Sequence, residues 1–132
     1  MKFIKQLRPY LPPLAVLAIL LAFSLGNSVY ICGEVSRWQV QLRQADALAQ
    51  SNRWEDASST LADSYRDWQT RQTYLHIVSE HDAINDAEAM YRRAAAFAAV
   101  KEDSEFRAEL ADLIDQLRLL SEMEQCSIKN VL

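Results

Sequence analysis

From residue 34 to residue 132 the chain contains neither glycine nor proline. These are the residues that most readily stop a helix. Proline removes a backbone donor and clashes with the preceding turn, and interior glycine costs about 1 kcal/mol relative to alanine. The three prolines (Pro9, Pro12, Pro13) and two glycines (Gly26, Gly33) all precede that stretch. Alanine, leucine, glutamate, glutamine and arginine, all good helix formers, are abundant after residue 33. The expected class is all-α, and 132 residues leave room for one core.

The N-terminal third has a different character. Between Arg8 and Glu34 no residue is charged. Leu11 to Ile31 would measure about 31 Å as a helix, which matches a hydrocarbon core of roughly 30 Å. Pro12 and Pro13 suit a first helical turn, where N–H donors are dispensable. Lys2, Lys5 and Arg8 precede the segment and should stay inside the cell. The expected organisation is a basic cytoplasmic tail (1–10), a transmembrane anchor (11–33) and an extracytoplasmic helical domain (34–132), with residues 11–31 in the bilayer. The rival is a signal peptide with its apolar region at Leu14–Leu25 and a small-x-small cleavage site at Ala22-Phe23-Ser24. The continuation of the apolar run through Val29-Tyr30-Ile31 favours the retained anchor. Tyr30 and Ile31 are too bulky for Cys32 to be a lipoprotein cysteine.

Three of the 14 basic residues lie before residue 34, leaving 11 against all 18 acids, a net of −7. Such a domain should not attract nucleic acid or lie flat on an anionic lipid surface.

Beyond the anchor, apolar residues step by three and four, the sign of one buried helical face. Four helices are predicted. Their stripes run Val35 to Ala49, Trp54 to Val78, Ile84 to Ala98, and Phe106 to Leu120. Short connections make sequential helices antiparallel neighbours. Leu61-Ala62-Asp63 recurs as Leu110-Ala111-Asp112, 49 residues later. Gln50 to Ala57 resembles the turn of a tetratricopeptide hairpin. Two hairpins are fewer than a solenoid needs, so the expectation is an antiparallel four-helix bundle or two stacked helical hairpins. Trp38, Trp54 and Trp68 all fall on apolar stripes, which points to core packing. An aromatic edge offered to a partner is the competing reading.

The stretch Ser79-Glu80-His81-Asp82-Ala83-Ile84-Asn85-Asp86 gathers a histidine and three acids. Read as a helix junction, Ser79 caps the third helix and Asp82 completes a variant capping box. Glu80, Asp82 and Asp86 then lie at the positive end of the helix dipole. Read as a metal site, His76, His81, Asp82 and Asp86 would be the ligands. On a continuous helix a five-residue spacing turns His76 and His81 about 140° apart, and only a break at Ser79 would bring them together. The expectation is a structural junction with no metal and no cofactor. No Gly-rich phosphate loop or nucleophile elbow is present, so an enzyme is not expected. Cys32 ends the anchor and Cys126 follows the last predicted helix. In an up-down-up-down bundle those ends meet, and an oxidising exterior would allow a disulfide; two thiols are the alternative.

The basic start and single apolar segment, Asn52-Arg53-Trp54-Glu55-Asp56-Ala57, Trp68, the motif His81-Asp82-x-Ile84-x-Asp86 and the ending Ile128-Lys129-Asn130-Val131-Leu132 give the chain a resemblance. It resembles a family of short, N-terminally anchored bacterial proteins of clostridia and bacilli, domain of unknown function 4363. The likeness extends over the whole chain. It implies architecture and a bacterial membrane location rather than an activity, and an integral membrane protein as companion. Asn85 and the two cysteines depart from the family's pattern, which weakens both a metal reading and any disulfide carried over from the family. The resemblance raises the interest of His81 and Asp82; with Trp38, Trp54, Trp68 and Ile84 they stand as the candidate structural or interaction motif.

Two functions of different class remain as expectations. One is a non-enzymatic, membrane-anchored interaction module or accessory subunit of a membrane protein. The other is an extracytoplasmic sensor of a metal or small ligand at His81.

Overall fold

The computed structural model describes residues 5, 6 and 8–131, with side chains as far as Met123. A 3-10 turn at Arg8–Tyr10 leads into four helices: α1 (Leu11–Gln50), α2 (Trp54–Val78), α3 (His81–Ala99) and α4 (Asp103–Val131). Among the described residues there is no strand. Each helix packs on two others, α1 on α2, α2 on α3, α3 on α4, and α4 back on α1. That ring closes an antiparallel four-helix bundle. The α4–α1 seam is what separates it from an open stack of hairpins.

Four helices are present where an anchor plus four was expected. The apolar segment and the first bundle helix are one continuous helix of 40 residues, about 60 Å long. Gly26 and Gly33 do not interrupt it. Their combined cost of about 2 kcal/mol is small beside the stripe that passes through them. Ser28, Ile31, Val35, Trp38, Leu42, Ala45 and Ala49 are all buried, and a single fully buried leucine or isoleucine contributes roughly 1.5–3 kcal/mol. The spacing of three and four never falters across Gly33. Leu11 to Leu20, by contrast, are exposed all round, and the helix that begins with them is long enough, and apolar enough over its N-terminal part, to cross a membrane.

The two hairpin turns are alike. After α1, the N–H of Asn52 donates to the Ala49 carbonyl (3.0 Å) and that of Arg53 to Leu48 (2.9 Å). After α3, Lys101 donates to Ala98 (3.2 Å) and Glu102 to Phe97 (3.0 Å). Both are Schellman motifs, which normally place glycine at the left-handed position. Asn52 and Lys101 take it here, at φ 60° and 58°.

The short sequence echo proves to be a structural repeat. Val35, Trp38, Leu42, Ala45 and Ala49 on α1 correspond, 49 residues on, to Ile84, Ala87, Tyr91, Ala94 and Ala98 on α3. Ala57, Leu61, Ser64 and Trp68 on α2 correspond to Phe106, Leu110, Leu113 and Leu117 on α4. All are buried. Two equivalent hairpins thus build one shared core.

Candidate functional site

Residues 79–86 fold as a junction, but not with the expected caps. Ser79 is the C-cap of α2 and Glu80 the N-cap of α3. Both are extended (φ −125°, ψ 168° and φ −69°, ψ 130°). The N-cap of α3 thus lies one residue after the expected Ser79, and the Glu80 side chain makes no capping hydrogen bond.

This two-residue break reorients the histidines. His76, in the last turn of α2, and His81, the first residue of α3, face each other with Nδ1 to Nδ1 at 2.9 Å. Their ring centroids are 5.1 Å apart. One ring must donate and the other accept, so the pair holds opposite tautomeric roles. Asp82 and Asp86 are exposed, and Ile84 is fully buried in the core. Among the described residues no three histidine, cysteine, aspartate or glutamate side chains gather at one point. The junction therefore offers two imidazoles, not a four-residue ligand set. The pairing of Cys32 with Cys126 lies outside the described side chains.

The three tryptophans belong to the core. Trp38 and Trp68 are wholly buried, and Trp54 is 8 % exposed. None presents a broad aromatic edge to solvent. Each has its own setting. Trp38 Nε1 donates to Asp67 Oδ2 across the α1–α2 seam at 2.6 Å. Trp54 Nε1 donates to Asn52 Oδ1 at 3.1 Å, and its ring meets Phe106 edge-on at 5.4 Å. Trp68 packs between Tyr65 and Tyr91 at 6.3 and 5.6 Å, while its Nε1 has no hydrogen-bond partner among the described residues.

Two polar features were not singled out in the sequence. The buried hydroxyls of Ser64 on α2 and Tyr91 on α3 bond each other at 2.9 Å. Burial pushes the Tyr91 phenol well above its ordinary value of 10.0, with the Ser64 hydrogen bond opposing and Asp67 adding to the rise. Ser64 sits at a core spacing from Leu61 and Trp68, a signal that periodicity alone could have given. Asp67 accepts from both Trp38 and Arg37, and Arg37 also pairs with Glu34. On the outer face, Arg92 is held in its charged form first by Tyr65 and then by Glu88.

The surface hollows are shallow and lined largely by charged side chains. One lies beside the α1–α2 turn, bordered by Asn52, Arg53, Asp56 and Lys101. Another is bordered by Arg37, Asp63, Arg66 and Asp67.

Residues 28–131 match the family described as Domain of unknown function (DUF4363). The chain belongs to that family. The match starts at Ser28, the first buried residue of α1, so the family's shared part is the bundle. Residues 1–27, which the resemblance had included, lie outside the match. No curated protein and no solved structure matches the chain.

Proposed function

We propose that the protein is a bacterial, single-pass membrane protein whose helical bundle faces outward and binds another membrane protein as an accessory subunit. It acts by binding, not catalysis. The supporting observation is the continuity of α1. One unbroken helix carries the exposed apolar segment and a quarter of the bundle core, so bundle and anchor move as one body. Such a rigid joint fixes the bundle's height and limits its tilt, which raises the effective concentration of its faces near membrane partners. Lys5 and Arg8 ahead of the apolar stretch support an inside N-terminus. The net negative charge of the bundle favours a protein partner over nucleic acid.

The test is co-purification. A C-terminally tagged chain is extracted from native membranes in mild detergent, and its companions are identified by mass spectrometry. One recurrent integral membrane protein in near-equal amount is expected; the free monomer alone would count against the reading.

The His76–His81 approach at 2.9 Å favours a second reading, a sensor of a transition-metal ion. Two imidazoles would supply the protein ligands and water the rest. Zinc or a similar ion should then raise the melting temperature, and His81→Ala should remove the effect. No shift with any divalent ion ends this reading.

A further inference from the structure

We infer that the α2–α3 end of the bundle is seated in the lipid headgroup layer, with Ile77 as its point of insertion. This rests on the anchoring proposed above.

The argument is one of register. Along the α1–α2 seam, Trp38 meets Asp67 (2.6 Å), Glu34 meets Arg71 (3.6 Å) and Tyr30 meets Tyr74 (ring centroids 5.2 Å). The helices are antiparallel, so three residues beyond Tyr74 lie level with about three residues before Tyr30. Ile77 is thus beside Asn27, and Val78 beside Gly26. The tip of the bundle overlaps the apolar segment.

That overlap shortens the free anchor. Leu11 to Gly26 is about 24 Å of helix, short of the roughly 30 Å of hydrocarbon. A membrane that covers the apolar segment must reach the level of the bundle's tip. The composition of α2 agrees. Below the Glu34–Arg71 ion pair both helices lose their formal charges together. From Gln72 to Ser79 there is no Asp, Glu, Lys or Arg, just as there is none from Pro9 to Gly33. The residues left on the outside suit a boundary layer. Ile77 is 78 % exposed, and Tyr30 and Tyr74 pair edge-on beside it. Tyrosine is enriched where hydrocarbon meets headgroups. Glu80 and Asp82, exposed at the start of α3, set the depth. Their carboxylates have to stay among hydrated headgroups, so the tip does not enter the hydrocarbon core.

The experiment is lipid photocrosslinking of the full chain, reconstituted in phosphatidylcholine–phosphatidylethanolamine vesicles. The probe p-benzoylphenylalanine is placed singly at Leu17, Ile77 or Val100. Leu17 lies in the free apolar segment. Val100 is at the opposite end of the bundle and is 66 % exposed, so it controls for mere accessibility. Lipid adducts are expected at positions 17 and 77, with position 100 many-fold lower. Adducts at 17 but not at 77, or equal yields at 77 and 100, overturn the inference and leave the anchoring intact. Crosslinks from 77 to a second copy in place of lipid also overturn it. Adducts at neither 17 nor 77 overturn the anchoring as well.

Discussion

Asn52 and Lys101 hold the same left-handed conformation in the same kind of turn, 49 residues apart, yet only Asn52 has a second task. Its Oδ1 accepts from Trp54 Nε1 at 3.1 Å. Left-handed backbone costs a non-glycine residue about 1–2 kcal/mol, and asparagine tolerates it better than lysine. Lys101→Gly should therefore stabilise the bundle by roughly 0.5–1 kcal/mol after the added freedom of the unfolded chain is subtracted. Asn52→Gly should be neutral or destabilising, because it leaves Trp54 Nε1 without its acceptor. Thermal unfolding of the full chain in mild detergent, followed by helical circular dichroism, separates the two. Equal gains from both substitutions would refute the distinction.

The two turns also explain how far the sequence could be read. The stripes from Val35 to Ala49 and from Phe106 to Leu120 were plain, because burial on one face of a helix leaves a period of three to four. The repeat was visible only at Leu61-Ala62-Asp63 and Leu110-Ala111-Asp112. Elsewhere equivalent positions exchange bulk, Trp38 for Ala87, Leu42 for Tyr91 and Trp68 for Leu117. A shared core needs the total volume preserved, not each residue. The fusion of apolar segment and bundle into one helix was hidden at Gly33, where a boundary seemed natural and packing of the neighbouring stripe carries the helix through. At the candidate site, the spacing of His76 and His81 pointed to divergence on a continuous helix. A break of two residues reversed that, and backbone geometry at Ser79 and Glu80 leaves little mark in composition.

The junction itself can be strengthened. Glu80 occupies the N-cap of α3 without a side-chain capping bond, and its side chain is longer than those that serve there best. Glu80→Asp keeps the negative charge at the positive end of the helix dipole and supplies a shorter acceptor. A gain of roughly 0.5–1 kcal/mol is expected, seen as slower amide exchange in the first turn of α3. Unchanged exchange at His81 to Ala83 would show that the cap is not what limits this end.

Asp67 and Arg37 lie in one network but should differ in weight. Arg37→Ala removes exposed ion pairs to Glu34 and Asp67 and should cost under about 1 kcal/mol. Asp67→Ala strips the acceptor from the buried indole of Trp38, and an unpaired buried donor costs about 1–3 kcal/mol. Denaturant unfolding of the two variants should rank them in that order. A larger loss from Arg37→Ala would mean that the indole bond is not the dominant interaction.

The Ser64–Tyr91 pair makes an alkaline prediction with a definite sign. The folded phenol has its pKa raised above the ordinary 10.0, so folding favours the protonated form. The associated stability is fully present below pH 10 and is lost as pH climbs above it, since the unfolded chain releases the proton first. Ultraviolet titration of the folded protein should therefore show a phenol that resists ionisation above pH 10. Tyr91→Phe should remove that resistant phenol and flatten part of the fall in stability above pH 10. It should also cost about 1–3 kcal/mol at neutral pH, because the Ser64 hydroxyl is left buried and unpaired. Adding Ser64→Ala should return much of that loss, since two apolar groups then meet where two polar ones did. If the double variant is as unstable as the sum of the singles, the hydroxyls are not coupled and their 2.9 Å contact contributes nothing of its own.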